Sequence, residues 1–275
     1  MMADGKMIPQ LGFGTYKIPP AQTAELTASA LQCGYRHIDT AQMYGNEAAV
    51  GQGWKASGLA REDIFLTTKL NNPNHRPADV RASFEKSLAD LQTDYVDLFL
   101  IHWPLPMHYG GDFVSTYQVL EELADDGRAR SIGVSNFQPH HLEALAAAGC
   151  SQPAVNQVEV HPYFTNLEVV NFCKGAHIQV ESWAPLARGK VLRDPLVGVI
   201  AEDLGATPAQ VVIAWHLAKG YVTFPKCSSP ERQAENWAAR DVHLTLRQIE
   251  RIDELNRGEA GRTGMHPDHM DRLDT

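Results

Sequence analysis

Residues 34–47 read GYRHIDTAQMYGNE, a short run of strand-forming residues that ends in Asp39 and leads into a loop that carries Tyr44. A buried strand and its turn need neither an acid at the strand end nor a tyrosine in the next loop. Similar apolar runs recur along the chain with helical patterns between them, which is typical of repeated βα units and a parallel sheet. The stretch therefore predicts a strand end that also carries part of a functional site.

Eight runs are predicted as strands, and most are rich in β-branched and aromatic residues, as strands buried on both faces should be. They are YRHID (35–39), IFLTTK (64–69), YVDLFLIH (95–102), SIGVSN (131–136), AVNQVEV (154–160), IQVESW (178–183), YVTFP (221–225) and a weaker RDVHL (240–244). Helical patterns between them have readable ends, such as the capping boxes that begin at Thr207 and Thr245. No linker interrupts this rhythm, so we predict one domain over residues 1–275, an α/β fold of the (β/α)8 TIM-barrel type.

The two ends of the chain are expected to cover the two ends of this barrel. Residues 6–18, KMIPQLGFGTYKI, predict an N-terminal β-hairpin that plugs the barrel bottom. Residues 258–275, GEAGRTGMHPDHMDRLDT, are polar and contain glycine, which fits either a frayed tail or a loop folded over a site. The predicted fold takes the second form, with the C-terminal tail over the barrel mouth.

Composition restricts the kind of protein. The chain has 275 residues, 44% of them hydrophobic, and a formal net charge of -9. An acidic chain argues against a nucleic-acid surface, which needs clustered Lys and Arg, and no apolar run approaches the roughly 18 residues of a membrane span. The cysteines are scattered without a CxxC pair, which fits reduced thiols. We therefore expect a cytoplasmic protein with no nucleic-acid and no membrane partner. We also predict a monomer whose partner is a small molecule.

Polar residues stand at the C-terminal ends of the predicted strands, where the active sites of such barrels lie. They are Asp39, Tyr44, Lys69, His102, Ser135, Asn136 and Gln157. Singly, a strand-end acid fits a cap, a lone lysine fits a solvated surface and a histidine fits the core. Together they are harder to dismiss, because LTTKL and LFLIHWP are otherwise apolar and would desolvate an unpartnered Lys69 or His102.

The chemistry of these side chains is coherent. An ammonium group at Lys69 favours the phenolate of Tyr44 and lowers its pKa, while Asp39 keeps Lys69 protonated and aimed. His102 can donate a hydrogen bond to a carbonyl oxygen as negative charge develops there. This set is suited to proton transfer to a carbonyl that is being reduced, with the hydride coming from elsewhere.

These motifs closely resemble the aldo-keto reductase family, and the resemblance covers nearly the whole chain. It rests on MIPQLGFGTYKI, GYRHIDTAQMYGNE, TTKL, DLFLIHWP, SIGVSNF, PAVNQVEVHP, ESWAPLARGK and FPKCSSPERQAEN. Within the family the chain is most similar to the bacterial 2,5-diketo-D-gluconate reductase group, through ESWAPLARGK and the GRTGMHPDHMD tail. The resemblance implies reduction of aldehydes or ketones, including small dicarbonyls, by NADPH. Its catalytic tetrad would be Asp39, Tyr44, Lys69 and His102, with Tyr44 as general acid.

The resemblance also implies a complete NADPH site. The nicotinamide carboxamide would be held by Ser135, Asn136 and Gln157, and its ring would stack on Trp183. The pyrophosphate loop would contain Leu186 and Gly189. The 2′-phosphate would be surrounded by Lys226, Ser228 and Arg232, and the adenine would lie near Glu235 and Asn236. On its residues alone, PKCSSPER is a basic and hydroxyl cluster that opens a helix, which suits a phosphate. Tyr16 and Trp103 are expected as walls of the substrate pocket.

Two positions depart from the family pattern. Cys227 stands where a serine is usual, so a cysteine directed at the 2′-phosphate would leave one phosphate oxygen poorly bonded. Asn71 stands where tryptophan is common, which predicts a less aromatic substrate pocket.

Alternative interpretations remain open at this point. A non-catalytic relative could bind nucleotide as a regulatory subunit, although the intact tetrad speaks against it. A barrel lyase could use Lys69 as a Schiff-base amine, but pairing with Asp39 would shift the lysine pKa the wrong way. GQGWKA (51–56) resembles a dinucleotide fingerprint but falls inside a predicted helix. His266 and His269 show no further ligand nearby in sequence, so we predict no metal.

Overall fold

Eight parallel strands follow one another in chain order through a single sheet. The computed structural model describes residues 1–273, and its strands are β1 (Phe13–Gly14), β2 (His37–Asp39), β3 (Phe65–Leu70), β4 (Leu98–Ile101), β5 (Ile132–Ser135), β6 (Val155–Glu159), β7 (Gln179–Trp183) and β8 (Val222–Thr223). A parallel bridge between Leu11 and Thr223 joins β8 to the segment that enters β1. The sheet therefore curls round until its last strand meets its first.

Ten α-helices lie within residues 1–273. They are α1 (Pro20–Cys33), α2 (Glu47–Ala56), α3 (Pro77–Leu91), α4 (Val114–Asp125), α5 (Pro139–Ala147), α6 (Leu167–Gly175), α7 (Pro195–Leu204), α8 (Pro208–Ala218), α9 (Pro230–Trp237) and α10 (Leu246–Asp253). The predicted capping boxes at Thr207 and Thr245 are present and begin α8 and α10. No single helix in this range is long and apolar enough to cross a membrane, and α7 and α8 meet that test only when combined across an 89° bend.

Seven of the eight predicted strands are confirmed, and the run at residues 240–244 is not a strand. A 3-10 turn (Ala238–Asp241) occupies its start, and the chain then enters α10. The missing strand is β1, which lies inside the segment predicted as a hairpin. Gly14 is required there because a Cβ atom would press against the carbonyl oxygen of Phe224. The hairpin is not confirmed, since the ladder described for this segment is the parallel pairing of β1 with β2.

Two glycines inside α2 explain the sequence GQGWKA. A Cβ atom on Gly51 would collide with the carbonyl oxygen of Asp90 on α3, and one on Gly53 would meet the carbonyl oxygen of Ala24 on α1. These glycines therefore let α2 approach its neighbouring helices closely. The packing accounts for the motif without a nucleotide.

Cys227 packs in the main hydrophobic core, with 3% of its surface exposed. Burial raises the pKa of its thiol to about 12. This burial favours a thiol that is packed in the core over one that is directed at a phosphate.

Replacing Cys227 by serine should lower the free energy of unfolding by about 1–2 kcal/mol. A buried serine hydroxyl gives up its hydrogen bonds to water, and this loss costs more than it does for a thiol. Urea unfolding measures the change. Cys150 is only partly buried, so Cys150→Ser is the matched control and should have a smaller effect. Equal losses for the two variants, or tighter NADPH binding by Cys227→Ser alone, would contradict this placement.

Candidate active site

A cleft of about 630 Å³ opens at the C-terminal ends of the strands. The predicted site residues that line it are Tyr16, Asp39, Tyr44, His102, Trp103, Ser135, Asn136, Gln157, Trp183, Leu186, Gly189 and Lys226. Lys69 is fully buried just beneath, bonded to Asp39. Ser228, Arg232, Glu235 and Asn236 lie on or beside α9 and are not among the residues that line the cleft. Most of the predicted residues therefore lie together, and the strand-end rule accounts for the seven that it selected, which are Asp39, Tyr44, Lys69, His102, Ser135, Asn136 and Gln157.

Asp39 and Lys69 form a buried ion pair across β2 and β3. The Lys69 Nζ lies 2.7 Å from Asp39 Oδ1 and 2.9 Å from Oδ2, and it also donates to the Thr40 carbonyl oxygen at 2.9 Å. The Tyr44 hydroxyl lies 3.4 Å from the same nitrogen. Tyr44 reaches this position from the short helical turn that follows β2 (Gln42–Tyr44). One ammonium group therefore connects the interior carboxylate to the phenol at the mouth.

The ion pair keeps Lys69 charged. Burial alone would lower the pKa of Lys69, but the charge of Asp39 and its hydrogen bonds outweigh burial and raise it. An ammonium group has no lone pair with which to attack a carbonyl carbon, so Lys69 is unsuited to Schiff-base chemistry. The lyase alternative loses its nucleophile for this reason.

The pKa of Tyr44 is raised, whereas the sequence predicts that the nearby Lys69 lowers it. Burial raises the pKa of Tyr44 to about 12, and the Lys69 charge opposes this rise without cancelling it. From the sequence only the ammonium group could be considered, because the depth of the side chain cannot be read from the motif. Tyr44 is therefore fully protonated at neutral pH.

His102 lies beside Tyr44 as a neutral ring. Its ring centroid is 5.9 Å from that of Tyr44, in an edge-on arrangement. Burial, followed by the Lys69 charge, holds the pKa of His102 well below its ordinary value. Within residues 1–273 its buried Nδ1 has no hydrogen-bond partner. A neutral imidazole of this kind can donate one hydrogen bond into the cleft without carrying charge there.

Ser135, Asn136 and Trp183 form one hydrogen-bonded wall of the cleft. The Trp183 Nε1 donates to Asn136 Oδ1 at 2.9 Å, and Asn136 Nδ2 donates to Ser135 Oγ at 3.1 Å and to the His102 carbonyl oxygen at 2.9 Å. Asn136 adopts a left-handed backbone conformation with φ of 63°. The bond at Nε1 holds one edge of the Trp183 indole, and the partly exposed side chain lines the cleft.

Gln157 has a carboxyl partner that sequence reasoning missed. Its Nε2 donates to Asp39 Oδ2 at 2.9 Å and to Glu181 Oε2 at 2.7 Å. Glu181 is fully buried, and burial raises its pKa to about 8, with Asp39 adding to the rise. Like Lys69, Glu181 is an ionisable residue inside a predicted buried strand, IQVESW, and the same signal could have found it.

Exposed cations also line the cleft. Lys226 lines the cleft, and so do Lys17 and Arg188, which were not selected from the sequence. Arg188 and Gly189 both have positive φ angles, of 54° and 85°. A glycine is expected where the backbone takes this conformation, and it also allows a ligand to approach closely.

Beyond Lys226, Ser229 caps the start of helix α9, and its Oγ accepts the Arg232 backbone N–H at 3.4 Å. Ser228 and Arg232 are exposed at this end, whereas Asn236 is buried. The Glu235 carboxylate accepts a hydrogen bond from the Thr207 hydroxyl at 2.6 Å. Glu235 therefore ties α9 to the start of α8.

The C-terminal segment is held to the barrel by Glu159 at the end of β6. Its Oε1 accepts from the Thr263 backbone N–H at 2.7 Å and from the Thr263 hydroxyl at 2.6 Å, and its Oε2 accepts from the Gly264 N–H at 2.9 Å. Burial would raise the pKa of this carboxyl, but these bonds and one from His161 outweigh burial and lower it. The segment then contributes Gly264, Met265, Met270 and Arg272 to the cleft lining. Residues 274–275 of the predicted tail lie outside the described residues.

One part of the cleft is apolar. Trp103 and Met270 belong to a small hydrophobic cluster with Met43, Trp183 and Met265 packed against it. Tyr16 is 47% exposed, and its ring centroid lies 5.1 Å from that of Tyr44. Asn71 is not among the residues that line the cleft, and its side chain accepts the Asn72 N–H at 2.9 Å. Methionine side chains supply much of this wall.

Asp268, which lies between the two histidines of the tail in sequence, meets a pair of histidines from α5. Asp268 Oδ1 lies 3.3 Å from His140 Nε2 and 3.5 Å from His141 Nε2, a grouping that could hold a metal ion. His141 Nδ1, however, accepts the Gln138 N–H at 3.1 Å, so the proton of the neutral ring is on Nε2, which is then unable to bind a metal. Sequence reasoning missed this grouping, since its halves are far apart along the chain. The absence of a metal stays a prediction.

Comparisons with known proteins give the family. The model of the Aldo/keto reductase family matches residues 10–257. The glyoxal reductase of Bacillus subtilis is 44% identical over 269 residues, which are 97% of this chain and 95% of that protein. The methylglyoxal reductase DkgA of Salmonella typhimurium is 41% identical over 274 residues, 98% of this chain and 96% of that protein. A mutant of Gox0644, crystallised in complex with NADPH, superimposes with a TM-score of 0.94 at 40% identity, covering 98% of this chain and 97% of that one.

The chain therefore belongs to the aldo/keto reductase family. By family it is an NADPH-dependent carbonyl reductase.

A methyl group on Gly264 tests the position of the tail, because its Cβ atom would collide with the Trp183 ring. Gly264→Ala should lower the free energy of unfolding by about 1–3 kcal/mol, as overpacking does, and should change the Trp fluorescence. Gly198 lies in α7 with open space where a Cβ atom would stand, so Gly198→Ala is the control and should not destabilise. Equal stability of the two variants would show that the tail does not rest on Trp183 in solution.

Proposed function

We propose that the enzyme reduces small aldehydes or ketones with Tyr44 as the general acid. The observation that carries this proposal is the buried Asp39–Lys69 pair, whose ammonium lies 3.4 Å from the Tyr44 hydroxyl beside a neutral His102. A fluorescence titration with NADPH, followed by a panel of carbonyl compounds monitored by cofactor oxidation, tests it.

The proposed chemistry assigns one task to each side chain. NADPH, when bound, supplies the hydride that adds to the carbonyl carbon. His102 donates a hydrogen bond to the carbonyl oxygen and orients it. Tyr44 donates its proton to the same oxygen as negative charge develops there, and the Lys69 ammonium stabilises the phenolate that remains. Asp39 holds Lys69 in place and balances its charge before the reaction begins.

We assign the cofactor to the cleft on the fit of its lining. The Gln157 amide nitrogen is occupied by two carboxyl groups, which leaves its oxygen as an acceptor for a carboxamide N–H. Ser135 and Asn136 would complete the carboxamide site, and the face of Trp183 would stack on the nicotinamide ring.

The phosphates would lie at the cationic end. The pyrophosphate would follow Leu186 and Gly189, and the 2′-phosphate would meet Lys226, Ser228 and Arg232, with Glu235 and Asn236 toward the adenine. Lys226 and Arg232 are both exposed, and within the described chain neither forms an ion pair. Such cations are available to a phosphate without breaking an existing contact.

The substrates we propose are small dicarbonyl compounds. Two relatives are named for glyoxal and methylglyoxal reduction, and the methionine-lined end of the cleft offers an apolar wall rather than a set of ligands for a large polar molecule. The narrower likeness to 2,5-diketo-D-gluconate reductases gives a second candidate within this class. We also infer that the C-terminal segment forms part of the pocket over the barrel mouth, since Glu159 fixes it there. The single domain, the monomeric state and the cytoplasmic location stay expectations from the sequence.

Tyr44→Phe should lower the rate of reduction by about 10²- to 10⁴-fold, because it removes the proton donor. The Kd for NADPH should hardly change, since the hydroxyl acts on the carbonyl oxygen. Steady-state kinetics and a fluorescence titration measure the two quantities. Tyr16→Phe removes a hydroxyl from the neighbouring ring and should keep most of kcat. A Tyr44→Phe enzyme with most of its kcat would rule out the general-acid assignment.

Arg232→Ala should weaken NADPH binding roughly tenfold or more, because a charge-assisted hydrogen bond contributes about 1.5–3 kcal/mol. The Kd for NADH, which has no 2′-phosphate, should stay the same. Arg240 is also exposed but stacks on Trp237, so Arg240→Ala is the control for loss of a nearby positive charge. Losses of the same size for both cofactors would refute a role at the 2′-phosphate.

A further inference from the structure

Glu181 is a buried carboxyl group that the proposed mechanism does not use. It lies in β7 with 0% of its surface exposed, and it is the register partner of Gln157 on β6. The Gln157 amide nitrogen bridges Glu181 and Asp39, at 2.7 and 2.9 Å. A single amide group thus connects Glu181 to the ion pair that the reaction needs.

The two carboxyl groups determine which way the Gln157 amide points. The amide nitrogen has two N–H donors, whereas the amide oxygen has only lone pairs. With the nitrogen turned inward, both donors find an acceptor, while an inward oxygen would face the ionised Asp39 carboxylate. The oxygen is thereby left on the side of the cleft that Gln157 lines.

The charge state of Glu181 affects Lys69. The charged groups that face it are Asp39 and Lys69, from β2 and β3. Behind β7, His216 of α8 bonds to Ser182, and burial lowers its pKa to about 3, so this ring is neutral. Because burial raises the pKa of Glu181 to about 8, the carboxyl keeps its proton at neutral pH. Asp39 and Lys69 then balance each other.

We infer that Glu181 is a positioning residue of the reductase site, which holds the Gln157 amide oxygen toward the nicotinamide and sets the charge beside Lys69. This inference rests on the proposed function, because the contact between Gln157 and the cofactor is part of that proposal. Ionisation of Glu181 adds a second negative charge near Lys69, which makes the Tyr44 phenolate less favourable and slows proton donation.

The first test is cofactor affinity. Glu181→Leu removes the acceptor, so one Gln157 N–H loses its partner and the Kd for NADPH should rise about 3- to 10-fold. Glu181→Gln can accept the same hydrogen bond through its amide oxygen and should keep the Kd within about twofold. Fluorescence titration of each purified enzyme with NADPH gives these values.

The second test is the dependence on pH. The single-turnover rate of reduction by the wild-type enzyme should fall as pH rises through about 8, where Glu181 ionises, and Glu181→Gln should lack this fall. The pH dependence of Tm without cofactor gives a reading that is independent of activity. The folded pKa lies above the ordinary value of 4.5, so the folded state holds this proton longer than the unfolded state does. Stability should therefore decrease from about pH 4.5 to about pH 8 in the wild type, and less so in Glu181→Gln.

Glu47→Gln is the matched control, since Glu47 is another buried carboxyl group and bonds to Thr68 and Ser87 instead of Gln157. Burial raises the pKa of Glu47 to about 7, so this variant should alter the pH dependence of Tm but not the Kd for NADPH. An unchanged Kd in Glu181→Leu, or a wild-type pH dependence of Tm in Glu181→Gln, overturns the inference. So does an equal loss of NADPH affinity in Glu47→Gln, which would point to general loosening.

Two outcomes separate this inference from the function it rests on. If the wild-type enzyme binds no NADPH and reduces no carbonyl in the panel, the proposed function itself fails. If Glu181→Leu does not fold, the pH dependences of Glu181→Gln decide the inference alone.

Discussion

The buried ion pair between Asp39 and Lys69 is the interaction on which the site depends. Placing two charges inside a protein costs several kcal/mol for each ion, and only close pairing with additional hydrogen bonds offsets that cost. Here Lys69 has both Asp39 oxygens and the Thr40 carbonyl, and Asp39 also accepts from Gln157. The pair joins β2 to β3 and ties both to β6 across the barrel. Removal of either charge would leave the other buried and uncompensated. Both the stability of this part of the fold and the proposed chemistry therefore depend on the same ion pair.

The fold could be predicted from the sequence wherever a strand was long enough to show a pattern. Runs such as IFLTTK and AVNQVEV are rich in β-branched and apolar residues, and the strands they form are buried along nearly their whole length, on both faces of the sheet. β1 has two residues, Phe13 and Gly14, and no periodicity exists over so short a length. RDVHL alternates like a strand, but tertiary packing places it between α9 and α10. β1 was therefore missed because it is too short to show a pattern, and RDVHL was counted as a strand because its sequence does not show how it packs. The repeated βα pattern itself did not mislead.

The site was predictable to the extent that chain direction alone decides position. Residues at the C-terminal ends of parallel strands must meet at one edge, so Asp39, Tyr44 and His102 could be grouped without coordinates. Contacts between distant segments could not be found in this way: Glu159 and Thr263 are 104 residues apart, yet one carboxylate fixes the tail. Burial was equally hidden from the sequence, and it explains both the inward position of Cys227 and the high pKa of Tyr44.

Burial and ion pairing together leave one charged group and two neutral groups side by side, which suits carbonyl reduction. Lys69 remains charged because Asp39 is in contact with it, whereas His102, which has no carboxylate partner among the described residues, remains neutral. Tyr44 keeps its proton because its hydroxyl is deep enough for burial to outweigh the ammonium at 3.4 Å. A carbonyl oxygen in the cleft would therefore meet two neutral donors backed by one fixed positive charge. In the proposed mechanism that charge is balanced by Asp39 in the resting site, and it gains a new partner only when the proton leaves Tyr44. Stabilisation of this kind favours the transition state over the bound substrate, which is the condition for catalysis.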